Sequence, residues 1–416
     1  ATEATLKEKA TLVGRIGLMM LSVGTGAWRV RNSMNKVSRC LGITCTADIG
    51  LLAISYTCIE GTDTYTQSIS LPTTGVNTHK LMELELFMKE FPDKVSTYSV
   101  KHIHEVLDEI QKLPANYQAW NLGLASALAC GAFTFLLGGG PVEMCCAFLG
   151  AGVGNFVRKK MLGHSISLLA NVAVSVAASC LVYVLTILLA QQLLSVSAVH
   201  QAGYICAMLF VIPGFPLITG GIDLAKLDMR SGLERIAYAL LIITAATLTG
   251  WATAMVFHFP PADFPDLQLP TVTRMLLRIA TSFFGVYGFS LMFNSPRKMA
   301  LTAGLIGMLT NTLRLELIDL AGMPVGIAAF IGAFASGCIA SLVKKYIGFP
   351  RISLTVPAIV IMVPGLYMYR GIYYMGLNDV SNGALWLTKA VLIVIALPLG
   401  LVVARLCTDK NFRHCT

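Results

Sequence analysis

From Ala115 onward the chain is a succession of apolar runs with almost no charge, each near or above the length of helix that crosses ~30 Å of hydrocarbon. Inside lipid every backbone N–H and C=O must be bonded within the protein, so such runs fold as helices. Ten spans are predicted, at 115–137, 141–157, 165–189, 202–221, 233–257, 272–293, 297–313, 324–343, 352–371 and 385–406. Charged residues make up 13% of the whole chain, against about 25% in an average soluble domain. That shortage excludes a disordered chain, collagen and an ordinary soluble enzyme.

Lysine and arginine in the connections orient the spans. One set of connections carries 14 Lys and Arg, the alternate set 5, and the bias alternates across all ten spans. Both termini are therefore expected in the cytoplasm of a multi-pass plasma-membrane protein. The 258–271 connection has acids and prolines but no Lys or Arg, as an external loop should. The formal charge of +9 is explained by basic cytoplasmic loops, and no nucleic-acid partner is expected. Trp120, Trp251 and Trp386 fall near predicted span ends, at the level of the aromatic belt.

Residues 1–114 differ in character, holding 24 of the 53 charged residues. Leu12, Ile16, Met19, Val23, Ala27, Val30, Met34, Val37 and Leu41 recur at steps of three and four, one stripe of an amphipathic helix. Gly14, Gly17, Gly24 and Gly26 weaken that helix and imply something packed closely on it. Strand-like runs follow at Ala47–Cys58 and Thr64–Leu71, with a turn at Glu60-Gly61-Thr62-Asp63. Two helices follow, about Thr78–Glu90 capped by Asn77 and Val100–Lys112 capped by Ser99. The whole reads as a small cytosolic α+β domain, placed to gate or to mediate assembly. The polar start, ATEATLKEKA, carries no cleavable signal peptide in this reading.

Val211-Ile212-Pro213-Gly214-Phe215 in the fourth span is echoed by Met362-Val363-Pro364-Gly365-Leu366 in the ninth, 151 residues later. Pro141 and Gly152 are echoed more weakly by Pro296 and Gly307. Spans 1–5 and 6–10 then read as two copies of one unit. An odd number of spans per copy turns the second upside down, the inverted-repeat design of secondary transporters. The expected organisation is a cytosolic domain at 1–114, a first five-helix repeat at 115–257, an external loop at 258–271, a second repeat at 272–406 and a cytosolic tail at 407–416.

Proline inside a helix removes a hydrogen bond and clashes with the preceding turn, and the adjacent glycine lets the chain unwind. Each Pro-Gly pair should therefore break its span near mid-membrane and start a half-helix whose free N–H groups suit a carboxylate. Pro213, Gly214, Phe215, Pro216, Pro364 and Gly365 are the candidate substrate-binding residues, with Pro216 deepening the first break. Thr219, Asn155 and Asn171 are polar residues that could hydrogen-bond a substrate or bridge helices. Asp223 and Glu143 are the acids proposed to exchange a coupling proton. No charged residue is expected at mid-membrane, so backbone N–H groups are the main anion ligands on offer.

Other chemistries lack residues. His104 and Asp108 lie four apart on one helix face, but nothing nearby completes a metal shell, so no metal or cofactor is expected. There is no nucleophile motif for a hydrolase and no Walker pattern for an ATPase. Gly150, Gly152 and Gly154 read as close helix packing. The eleven cysteines, including Cys130, Cys145, Cys146, Cys180, Cys206 and Cys338 inside apolar segments, read as reduced and buried.

The N-terminal helix with Gly17-Leu18-Met19-Met20-Leu21 and Gly26-Ala27-Trp28-Arg29-Val30-Arg31, then Pro213-Gly214-Phe215-Pro216 through Asp223, then Pro364-Gly365, resembles the threonine/serine exporter family over nearly the whole chain. The resemblance implies export of small amino acids from the cytoplasm. Two-component relatives, with the halves on separate polypeptides, are linked to dicarboxylate (succinate) export. The function expected is therefore proton-coupled secondary export of a small carboxylate-bearing metabolite, with no enzymatic activity; homo-oligomerisation stays open. A membrane-tethered enzyme using residues 1–114, or a channel or scaffold, are the alternatives.

Overall fold

A computed structural model describes residues 1–414, so the last two residues of the expected 407–416 tail lie outside the described residues. Helix α1 (Leu6–Ser22) starts at a capping box in which Thr5 and Glu8 satisfy each other's backbone N–H. It stops before Gly24, whose φ of +92° no longer follows a helix, and α2 (Ala27–Cys40) begins three residues after that glycine. The single stripe from Leu12 to Leu41 is thus carried by two helices. The implied close packing is present: a Cβ at Gly14 would run into the Tyr56 ring, and one at Gly17 would meet Met34 Sδ at 2.6 Å.

Three antiparallel strands follow, β1 (Thr44–Ile49), β2 (Ala53–Glu60) and β3 (Asp63–Ser70), in that spatial order. Glu60 pairs with Asp63 across the turn that was expected there. The run Ala47–Cys58, read as one strand, is two. Gly50 N donates to Ala53 O at 2.8 Å and closes a turn within it, and Ala47 pairs back onto Tyr56. Helices α3 (Thr78–Lys94) and α4 (Val100–Lys112) start at Asn77 and Ser99, whose side chains accept from Lys80 N and His102 N. Leu12, Ile16, Val30, Met34, Ile54 and Leu107 form a buried core of this region's own.

The rest is helical: α5 (Ala119–Leu136), α6 (Pro141–Gly163), α7 (Leu168–Leu194), the single turn α8 (Tyr204–Ala207), α9 (Gly214–Ala225), α10 (Met229–Phe257), α11 (Thr271–Met292), α12 (Arg297–Asp319), α13 (Val325–Ile347), α14 (Arg351–Val360), α15 (Gly365–Gly376) and α16 (Val380–Thr408). Six of these are long and apolar enough to cross a membrane, or eight if each of two bent pairs counts as one span. This is a multi-pass membrane protein. Helices α6 and α12, expected as the second and seventh spans, are 23 residues long but stand outside that set. Glu143, Arg158, Lys159 and Lys160 in α6, and Arg297, Lys298, Arg314, Glu316 and Asp319 in α12, lower their hydropathy. Pro141 is the first residue of α6 and Pro296 the N-cap of α12, so each of the weakly echoed prolines starts a helix.

Helix α12 runs six residues past the expected end at 313, so Arg314, Glu316 and Asp319 belong to a helix and not to a connection. Arg278 of α11 reaches across to Glu316 at 3.0 Å and to Asp319 at 2.5 Å. The ten described cysteines are free thiols, but Cys145 and Cys407 are exposed and Cys40 and Cys338 only partly buried, not buried as read.

The N-terminal region is bolted to two turns of the helical part. Thr78 N donates to Phe293 O at 3.0 Å, and Asn294 Nδ2 donates to Asn77 Oδ1 at 3.0 Å, at the α11–α12 turn. Arg31 pairs with Asp228 at 2.5 Å, and Leu51 N donates to Glu234 Oε2 at 2.6 Å, at the α9–α10 turn.

Candidate functional site

Both Pro-Gly pairs break the chain where the sequence places them. The segment 198–211 meets α9 at 58°, and α14 meets α15 at 51°. The two prolines share one backbone geometry, φ −80° and ψ 60° at Pro213, φ −83° and ψ 56° at Pro364. Those angles are an inverse γ-turn. Accordingly Gly214 N donates to Ile212 O at 2.8 Å, and Gly365 N to Val363 O at 2.9 Å.

The γ-turns consume donors that a helix start would otherwise leave free. In α9, Gly214 N–H is engaged, Pro216 has none, and Leu217 N already donates to Pro213 O, so Phe215 alone keeps a free N–H in the first turn. In α15, Leu366 and Tyr367 both keep theirs, and Met368 N donates to Pro364 O at 2.9 Å. The two half-helices are therefore unequal as anion sites.

They are also packed against each other. A Cβ at Gly214 would collide with Val360 and touch Val363, while one at Gly365 would collide with Ile212 and meet Leu209 at 3.0 Å. Only a glycine lets each break approach the other this closely. Gly365→Ala and Gly214→Ala should each cost about 1–3 kcal/mol through overpacking; a thermal melt of the purified protein that matches the unsubstituted chain would refute this.

A cavity of about 510 Å³ opens beside the second break, on the side of the 258–270 connection. Pro364, Leu366 and Tyr367 line it, together with Arg274, Arg278, Arg314 and Arg370. The first break does not reach it: Pro213, Gly214, Phe215 and Pro216 are absent from its walls. Phe215 is buried and packs edge-on to Phe293 at 5.2 Å.

The expected spans contain Arg274, Arg278 and Arg370 but leave Arg314 just beyond a span end; the structure places Arg314 within α12, and all four face one cavity. Three of them have carboxylate partners: Arg274 with Asp266 at 3.9 Å, Arg278 with Glu316 and Asp319, and Arg370 with Asp263 at 2.9 Å. Arg314 has none among the described residues. Its Nε donates to Asn311 Oδ1 at 3.1 Å, and its two terminal nitrogens make no protein hydrogen bond. Around it stand the ring of Tyr367, itself 5.1 Å from Trp386, and Arg370, stacked on the same tryptophan at 4.8 Å. Sequence reasoning missed Arg314. The signal was its position in a helix one residue past a predicted span end, with acids at the two following polar positions.

The remaining candidates are placed elsewhere. Asn155 donates to Leu122 O at 2.8 Å and Asn171 to Arg158 O at 3.2 Å, tying α6 to α5 and α7 to α6. Thr219 donates to Phe215 O at 2.9 Å within α9. Glu143 is fully buried, accepts from Gly140 N at 3.0 Å, and sits 2.5 Å from His200 Nδ1. His104 and Asp108, the pair with metal-ligand spacing, share Arg15, whose guanidinium contacts His104 Nδ1 at 3.0 Å and also reaches Asp108. Burial, then the Arg15 charge, hold the His104 pKa below the usual imidazole value.

Asp223 is fully buried at the last turn of α9, where the helix dipole disfavours an acid. It is held by a different helix end. Ala27 N, first in α2, donates to Oδ1 at 3.0 Å and to Oδ2 at 3.1 Å. Ser231 Oγ donates at 2.7 Å, and Arg235 lies 3.2 Å away. Arg235 in turn donates to Thr25 O at 2.6 Å. Gly26 makes this possible, since a Cβ there would meet Asp223 Oδ1 at 2.6 Å.

Residues 11–258 match a family model for threonine/serine exporters (ThrE), and residues 278–407 match a second model described as "Threonine/Serine exporter, ThrE". The chain belongs to the threonine/serine exporter family. A Mycobacterium tuberculosis protein named "Probable threonine/serine exporter" is 26% identical over 415 residues, 93% of this chain and 74% of its own length. The Corynebacterium glutamicum "Threonine/serine exporter" is 25% identical over 418 residues, 95% of this chain and 82% of its own. The Escherichia coli "Probable succinate transporter subunit YjjP" is 25% identical over 240 residues, 58% of this chain and 90% of its own. No solved structure matches this member of the family.

Proposed function

We propose that this family member is a secondary exporter of small carboxylate-bearing metabolites, threonine and serine or a dicarboxylate such as succinate, and that the carboxylate is held by Arg314 beside the free N–H groups of Leu366 and Tyr367. The observation that carries the reading is the one cavity-facing arginine with no carboxylate partner among the described residues, standing in the same cavity as a half-helix start. An unpaired guanidinium in a low-dielectric cleft is costly, and a bound carboxylate offsets that cost with a bidentate pair. Names borne by relatives support both amino-acid and dicarboxylate cargo.

The membrane part is read as ten passes in two inverted five-helix repeats, 115–257 and 272–406, after a cytosolic domain at 1–114. Matching γ-turns at Pro213 and Pro364 support it, as does the 14-to-5 alternation of basic residues, which puts both termini in the cytoplasm. In that orientation the cavity opens outward, and the apolar contact of Ile212, Leu209, Val360 and Val363 closes the path beneath it. Export then requires the two breaks to part and the cavity to close from outside.

Counterflow in proteoliposomes with an imposed pH gradient, competed by threonine, serine and succinate, tests the proposal; absence of saturable flux for all three rejects it. The buried Glu143–His200 pair is the proton-coupling site in this reading. Glu143→Gln should abolish gradient-driven accumulation while leaving downhill exchange. Accumulation that still follows the pH gradient in that variant removes Glu143 from the coupling.

A further inference from the structure

Where α2 and α3 pack on the ends of α13 and α16, they border a pocket of about 250 Å³ that shares no lining residue with the Arg314 cavity. Five basic side chains line it, Arg29, Lys36, Lys89, Lys344 and Arg405, against two acids, Glu85 and Asp409. The acids are already shared. Glu85 pairs with Arg29 and lies 3.6 Å from Lys344, while Asp409 pairs with Arg351 at 2.9 Å and lies 3.5 Å from Arg405.

Nothing anionic is left for the others. Lys36 Nζ donates only to the carbonyl of Met88, at 2.5 Å, and Lys89 has no carboxylate within ion-pair distance among the described residues. The Nε atom of Arg405, which lines the pocket, is buried without a hydrogen-bond partner. Arg405 is fixed in place by stacking, 4.4 Å from the Trp28 ring and 4.5 Å from that of Phe412. Burial, then repulsion from Arg405 and Arg351, lower the Arg29 pKa. Cations gathered at a half-open junction, with the Lys36 and Lys89 ammonium groups claimed by no carboxylate among the described residues, suit a multiply charged anion, and arginine with lysine is the donor set that phosphate oxygens take.

We propose that this junction binds a phosphate-bearing anion, which clamps the N-terminal region to the ends of α13 and α16. Two sources share that chemistry, a soluble phosphate compound and the headgroup of an anionic lipid reaching the end of α13.

The test uses the full chain in phosphatidylcholine nanodiscs, melted with and without inorganic phosphate or pyrophosphate against potassium chloride of equal ionic strength. A parallel set contains phosphatidylglycerol. The comparison variant is Lys36→Gln/Lys89→Gln, because neither lysine holds a carboxylate that the fold needs. The expected result is a saturable rise of several degrees in melting temperature that the variant loses or shifts at least tenfold in half-saturation. A rise with phosphate or pyrophosphate identifies a soluble ligand, and a rise with phosphatidylglycerol alone identifies a lipid. No rise in either set, or an equal rise in the variant, overturns the proposal, and neither result bears on transport through the Arg314 cavity.

Discussion

Arg314→Gln should raise the KM for carboxylate cargo about a hundredfold or abolish saturable transport altogether. The carboxylate would lose a charge-assisted partner, a loss of about 3 kcal/mol, or roughly two decades in affinity. Arg314→Lys keeps the charge but not the flat two-pronged donor, so it should recover part of the affinity. Folding should survive, because among the described residues the guanidinium's only hydrogen bond is the one from Nε to Asn311. The measurement is concentration-dependent counterflow in proteoliposomes. If Arg314→Gln transports with unaltered KM, the carboxylate sits elsewhere.

The second large effect concerns Asp223. Truncation to Ala would strand Arg235 in a buried site and leave the first N–H of α2 without its acceptor. Removing one partner of a buried ion pair costs about 3–5 kcal/mol. The expected outcome of Asp223→Ala is a large drop in thermal stability, with the N-terminal region released first and cut readily by protease. Asp223→Asn keeps an acceptor for Ala27 N–H and should fall between the two. A double-mutant cycle with Arg235→Ala isolates the pair, since the second truncation should add little once the first is made. An Asp223→Ala protein that melts with the unsubstituted chain would mean that the contact contributes nothing. Because Asp223 is so fully engaged, its carboxylate is better suited to joining the N-terminal region to α9 than to carrying a proton.

The positions of the breaks were legible because proline acts locally. It has no N–H and a fixed φ, so Pro213 and Pro364 interrupt a helix wherever the chain goes next. Caps were legible for the same reason: Asn77 and Ser99 bond to N–H groups three residues away. The β1–β2 turn was not, because Gly50-Leu51-Leu52 lies between runs of similar composition and carries apolar residues where a turn is usually polar. Arg314 was misplaced because the fall in hydropathy after Leu313, with Glu316 and Asp319 following, reads as the end of a span. Hydropathy cannot tell an arginine that leaves the helix from one that lines a cavity within it.

The sequence alone determined that this chain is a bundle of membrane helices with two proline breaks, since chain length, missing charge and a missing N–H are properties of short segments. Tertiary structure alone decided which break borders a cavity, which arginine stays unpaired in it, and that Asp223 is satisfied by a helix start 196 residues earlier. The physical reason is that an electrostatic partner is chosen by distance in space. Packing brings together charges and backbone dipoles that no spacing along the chain records.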